Sequence, residues 1–169
     1  AYKQVREIDT ALAITLHDHL RYNFQKKASF EADEMHDWNS AKLYSEKALR
    51  ALNGKNIYPQ NINYWNISPK KIGKIRSGYF NLLSIYDEAL AKSPENLAKA
   101  ISSLDCWAEQ EEEGWQEWDI ESCKNDFLIA IQEIYKLYEN KSKNDKTIDE
   151  NVSNNKNSVT VVTKNEKKE

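Results

Sequence analysis

Residues 68–107 read SPKKIGKIRSGYFNLLSIYDEALAKSPENLAKAISSLDCW, a run in which two consecutive helices can be read. It carries the same start signal twice, Ser68-Pro69 and Ser93-Pro94. A serine can accept from the free backbone N–H groups of a first helical turn, and proline at the first helical position gives up an N–H that would have had no partner. After the first signal, Ile72, Ile75, Tyr79, Leu82, Leu83, Tyr86 and Leu90 recur at three- and four-residue intervals. After the second, Leu97, Ala98, Ile101, Leu104 and Trp107 do the same. That spacing gathers the apolar side chains on one face of a helix. The stretch therefore predicts two helices meeting at residue 93, the second closing near Gly114, since glycine readily takes the left-handed conformation that ends a helix.

From Val5 to Phe30, the residues Val5, Ile8, Ala11, Leu12, Ile14, Leu16, Leu20, Tyr22, Phe24 and Phe30 recur mostly at three- and four-residue intervals and predict a long first helix. Ser40 is the expected cap of a second helix carrying Ala41, Tyr44, Ala48 and Leu49, which ends before Gly54. Residues 53–68 hold Asn, Gly and Pro59 with Tyr58, Tyr64 and Trp65, which predicts an ordered loop whose rings dock on the helices. Beyond Gly114, Asp119 is placed to cap a fifth helix with Ile120, Phe127, Leu128, Ile131, Ile134, Tyr135 and Tyr138 facing inward. The expectation is an all-α fold: a single up-and-down bundle of about five helices over residues 1–139. Tyr86, Ala89 and Pro94 have the spacing of a tetratricopeptide hairpin, loosely echoed by Ala41, Ala48 and Gly54, but no 34-residue period is sustained. Residues 140–169 are rich in Asn and Lys and poor in large apolar side chains, so they are expected to form a disordered tail rather than a second domain.

Composition agrees with helices joined by short turns: 4 Gly and 3 Pro stand against 30% charged residues. A net charge of −3 gives no general electrostatic attraction to nucleic acid or anionic lipid, both of which need clustered positive charge, so neither is an expected partner. No apolar run is long enough for a transmembrane segment. Met35 is the only methionine, so Ala1 is not an untouched translation start; a cleaved leader on an exported protein is the favoured explanation, and artificial trimming of the upstream residues is the other.

Three groups of residues could carry chemistry. Cys106 and Cys123 fall on helices flanking the turn at Gly114, where an antiparallel hairpin can bring them opposite one another. They are read either as a disulfide, which persists only in an oxidising compartment, or as two buried inert thiols. Their spacing does not suit a zinc ribbon or a CxxC redox pair. Residues 104–120, LDCWAEQEEEGWQEWDI, set Trp107, Trp115 and Trp118 among Glu109, Glu113 and other acids. This is either corner packing or a recognition surface for a cationic or carbohydrate-like partner, since rings stack on such groups. Glu31, Asp33, Glu34, His36 and Asp37 make an acidic patch with one imidazole, read first as a solvated helix end. Asp33 stands where a di-metal bundle needs the glutamate of its ExxH motif, so neither a metal nor another cofactor is expected. No nucleophile-plus-base arrangement, phosphate loop or serine motif is present, so the chain is not expected to be an enzyme. The least favoured alternative is a carboxylate-based enzyme or metal-binding bundle, using Glu109 and Glu113 or the Glu31–Asp37 acids.

Two stretches are similar to a known group. Residues 30–38, FEADEMHDW, with Ala41, Tyr44, Lys47 and Ala48, and residues 105–116, DCWAEQEEEGWQ, with Ile120, Cys123 and Phe127, resemble the helical N-terminal region of alphaproteobacterial envelope proteins. These are often lipoproteins, in which that region can precede an outer-membrane-protein-A-like peptidoglycan-binding domain. The resemblance covers roughly residues 8–138 and implies a periplasmic or outer-membrane-associated setting, which favours the Cys106–Cys123 disulfide and the cleaved leader. It implies no known reaction. This chain departs from the pattern in having no cysteine to lipidate at residue 1 and an Asn/Lys-rich tail in place of the wall-binding domain. The expected function is thus a non-catalytic structural or protein-interaction module of the cell envelope, its partner an envelope protein or cell-wall component. The alternative is a secreted effector or antigen that binds a host protein, suggested by the Asn-, Lys- and Ile-rich composition of an AT-rich genome.

Overall fold

Thr15 shows how local chemistry sets the architecture. Its hydroxyl accepts from Asp18 N while Asp18 Oδ2 accepts from Thr15 N, a reciprocal capping box that starts a helix here. The computed structural model describes residues 1–8, 13–114 and 116–159, with side chains described as far as Glu139. Its elements are α1 (Tyr2–Arg6), α2 (Leu16–Phe30), a π-helical turn (Glu31–Met35), α3 (Trp38–Leu52), a 3-10 turn (Ile62–Tyr64), α4 (Ile72–Lys92), α5 (Pro94–Glu113) and α6 (Glu117–Val159). The protein is all-α, with no strand among the described residues. The chain divides into two units, Ala1–Ile134 and Tyr135–Glu169. The tail expected to be disordered, 140–169, falls on residues whose side chains, and from 160 onward whose backbone, lie outside the described residues.

Four starts differ from the sequence expectation, each because a backbone N–H found a different acceptor. The single first helix is instead α1 and α2, parted before the Thr15 box, and Ile14 just ahead of that box is exposed. The cap of α3 is Asp37 rather than Ser40: Asp37 Oδ1 accepts from Asn39 N at 2.7 Å and Ser40 N at 3.2 Å. Ser68-Pro69 opens a turn, with α4 beginning at Ile72. Helix α6 begins at Glu117, so Asp119 lies in its first turn instead of capping it. Pro94 at the start of α5 and Gly114 at its end, in the left-handed region at φ 73°, match the expectation.

In the first unit α2 packs on α3 and α5, α4 packs on α5, and α1 lies against α2 and α3. Helix α5 is central, and every residue from 101 to 110 is buried. Around it lie Leu20, Phe24 and Ala28 of α2, Ala41, Tyr44 and Ala48 of α3, Ile75 and Leu82 of α4, and Phe127, Ala130 and Ile134 of α6. Each large apolar side chain buried in this way contributes about 1.5–3 kcal/mol. Gly78 permits the close approach of α4 to α6, because a Cβ there would sit 2.8 Å from a Phe127 ring carbon. The segment from Asn53 to Lys71 is an ordered loop that buries Ile57, Ile62, Trp65 and Ile67. Of its other rings, Tyr58 packs on Tyr86 at 4.7 Å between centroids and Tyr64 stands edge-on to Trp65, though both remain about half exposed.

Candidate functional site

A helix buried on all sides is expected to be apolar all round, yet α5 buries Ser102, Ser103, Asp105, Glu109 and Gln110. Buried polar groups need partners, and those of α5 find them on the α3 side and in the loop. Lys47 Nζ of α3 donates to Asp105 Oδ2 at 2.5 Å and to the Tyr58 carbonyl at 3.3 Å. Gln60 N donates to Asp105 Oδ1 at 2.6 Å. Burial pushes the Asp105 carboxyl up from its ordinary range, while the Lys47 ammonium and the Gln60 amide pull it back. Tyr86 Oη donates to the Ile57 carbonyl at 3.0 Å, so α3, α4 and α5 together pin the loop.

One turn further along α5, the Glu109 carboxylate accepts from Ser40 Oγ at 2.9 Å and Gln110 Nε2 at 2.8 Å. Oxygens of Glu109, Glu31 and Asp37 all lie within 4.8 Å of one another. Glu31 opens the π-helical turn and Asp37 caps α3, so three separate segments meet. Glu31 and Glu109 are each 2% exposed. Burial raises both, Glu31 to about 8 with Glu109, Glu113 and Asp37 adding to it, and Glu109 to about 7 with Glu113 and Asp37 adding to it. The hydrogen bonds from Gln110 and Ser40 work the other way on Glu109, as does Lys27 on Glu31. Tyr44, fully buried, is pushed well up by burial first and then by the Glu109, Asp105, Glu31 and Glu113 charges, and its hydroxyl has no hydrogen-bond partner.

A second feature is a cleft of about 630 Å³ lined by His19, Tyr22, Lys26, Lys27, Lys99 and Asp126 among others. Lys99 lies 3.6 Å from Asp126 and Lys26 stands over the Tyr22 ring, so two of its three lysines already have partners.

The sequence residues distribute as follows. Cys106 and Cys123 are at disulfide distance, with Sγ atoms 2.04 Å and Cα atoms 5.6 Å apart. Of the aromatic and acidic hairpin, Trp107 and Glu109 are buried, Glu113 is half-buried and Trp118 is 71% exposed, while Trp115 lies outside the described residues. Trp107 packs on Phe127, 6.1 Å between ring centroids. The two acidic stretches, 31–37 and 109–113, were separate candidates in the sequence and converge in space. His36 is not part of that meeting: it sits at φ 59° with Nδ1 3.3 Å from its own Ala32 carbonyl. None of Lys47, Asp105 and Ser40 is a candidate site residue in the sequence: Ser40 reads as a helix cap, Lys47 and Asp105 enter only with the resemblance, and for the last two a charge at an inward-facing helical position is the signal available. No family model matches the chain, nor does any curated protein or solved structure. Among the described residues, no helix is long and apolar enough to cross a membrane.

Proposed function

We propose that the chain is a non-catalytic interaction module of the bacterial cell envelope, exported and closed by a Cys106–Cys123 bridge, that binds an envelope protein or cell-wall component. The observation that carries this reading is the cysteine pair at bonding distance between α5 and α6. Such bridges persist in oxidising compartments and are rare in reducing ones. The exposed face beside the bridge suits recognition: Trp118 stands out from the first turn of α6 next to the exposed Glu117, while Glu121 on the following turn is already paired with Lys124. An exposed tryptophan next to a carboxylate favours a cationic partner group through ring stacking and charge together.

The test is alkylation and mass measurement of protein taken from its native compartment, with and without reductant, combined with fractionation and pull-down. The expected result is a bridged protein in the periplasmic or outer-membrane fraction, with a partner whose recovery falls several-fold for Trp118→Ala while helix content is unchanged. Free thiols in the cytoplasmic fraction would overturn the reading. Bridged protein found outside the cell would move it to the secreted, host-binding alternative.

A further inference from the structure

We propose that Glu31, Asp37 and Glu109 hold a divalent cation of the hard, oxygen-preferring class, with Ca2+ the best fit, and that this ion ties the α2–α3 connection to α5. The proposal stands apart from the envelope reading, since it concerns the interior of the first unit.

Four observations carry it. The three carboxylates come from three segments and place oxygens within 4.8 Å of one another. No basic group among the described residues forms an ion pair with any of them, although the Lys27 ammonium is near enough to interact with Glu31 and Glu109. Like charges gathered in the interior with only that ammonium near them are unfavourable, and a cation at the shared point removes the conflict. Independently of the acids, polar atoms at the cluster lack partners. Gln110, 2% exposed, uses Nε2 on Glu109 and leaves Oε1 without one, and the hydroxyl of Tyr44, fully buried in the field of Glu109 and Glu31, has none. Glu31 Oε2 is likewise buried and unpartnered. Such atoms are uncommon in folded proteins, and where several meet at one point a bound ion or water is an explanation for them.

The geometry selects the class of ion. Three atoms no more than 4.8 Å apart always share a point that lies within about 2.8 Å of each. Ca2+ takes oxygens at about 2.3–2.6 Å in flexible arrangements, whereas Mg2+ demands about 2.0–2.1 Å and a near-ideal octahedron. A small inward movement suffices for the first and a larger one is needed for the second. The donor set is all oxygen, with His36 turned to its own backbone, so the softer metals that prefer imidazole or thiolate have nothing to select them. The hydrogen bonds from Ser40 and Gln110 hold the Glu109 carboxylate in place, and Asp37 keeps its second oxygen free while Oδ1 caps α3.

The test uses the full oxidised chain, stripped with EDTA and dialysed, followed by circular dichroism on heating in CaCl2, MgCl2 or MnCl2 against KCl of equal ionic strength. The expected result is a saturable rise in Tm with CaCl2 of about 5–10 °C at one hundred times Kd, with a smaller effect of MgCl2. Asp37→Asn is the deciding variant, because asparagine caps a helix as well as aspartate and the fold is kept while one charged ligand is lost. Its apparent Ca2+ affinity should fall at least about 10-fold. Equilibrium dialysis with radioactive calcium should find one ion per wild-type chain, a readout that does not depend on Glu31→Gln or Glu109→Gln folding. No saturable shift with any of the three salts up to about 10 mM, or an unchanged shift in Asp37→Asn, would overturn the proposal; the first would mean shared protons hold the cluster, the second that the ion binds elsewhere.

Discussion

Replacing Lys47 by methionine keeps the aliphatic stem that lies in the core and deletes only the ammonium. In the wild type that ammonium, on a side chain 5% exposed, meets Asp105 at 2.5 Å and the Tyr58 carbonyl at 3.3 Å. The variant leaves Asp105, whose side chain is 1% exposed, with the Gln60 amide as its remaining donor. Breaking one side of a buried pair costs about 3–5 kcal/mol. Proton uptake sets a ceiling of the same size: holding a carboxyl with an ordinary pKa of 3.8 in its neutral form at pH 7 costs about 4 kcal/mol. Against a total of about 5–15 kcal/mol for a unit of this size, that is a large fraction, and Tm should drop by roughly 10–15 °C. The sign of the pH dependence follows. In the variant Asp105 is protonated when folded and ionised when unfolded above pH 3.8, so stability lost at pH 7 returns as pH falls, by about 1.4 kcal/mol per unit. Urea unfolding by circular dichroism at pH 7 and pH 5, always as the difference from wild type, measures both effects. A loss under about 1 kcal/mol at pH 7, or a difference that ignores pH, would refute the reasoning by showing that water reaches Asp105. The double variant Lys47→Met, Asp105→Leu should lose less than Lys47→Met alone, since no buried charge is left uncompensated.

Three further outcomes are expected. In EDTA, wild-type stability should fall as pH rises from about 5.5 to 8: Glu31, raised to about 8, and Glu109, raised to about 7, keep protons in the folded state that the unfolded state has already released. Each such proton contributes about 1.4 kcal/mol per pH unit, and a curve that is flat or climbs over this window in urea titrations would contradict the shared burial of the two acids. Thr15→Ala removes the acceptor for Asp18 N and should cost about 0.5–2 kcal/mol in chemical denaturation, with no change in helix content at low denaturant. Reduction of the Cys106–Cys123 bridge, which spans 17 residues of sequence, should lower stability by about 3 kcal/mol, read as a shift in the urea midpoint with and without reductant.

The all-α fold was legible because its signals are local. Three- and four-residue spacing of Leu82, Tyr86, Leu97, Ile101 and Leu104 needs only the geometry of a helix to be read, and each of these residues is buried. Proline at the start of α5 and glycine at its end obey backbone sterics that no neighbour can overrule. Caps were less legible, because Asp37 and Ser40 are both good acceptors three residues apart, and the choice between them fell to what else each could bond. Ser40 was drawn away by Glu109, a residue 69 positions later in the chain.

The candidate site divides along the same line. That acids cluster at 31–37 and 109–113, and that two cysteines flank a helical turn, is plain from residue order alone. It took the packing of the helices to bring Glu31, Asp37 and Glu109 face to face, to turn Trp107 inward and Trp118 out, and to join Lys47 to Asp105 across 58 residues of chain. A helical period assigns a residue to a face, whereas whether that face meets water, an oily neighbour or another carboxylate depends on which helix is packed against it. For residues 101–110 of α5, buried without a break, that neighbour put residues of ordinary surface character, Asp105 and Glu109, into the interior.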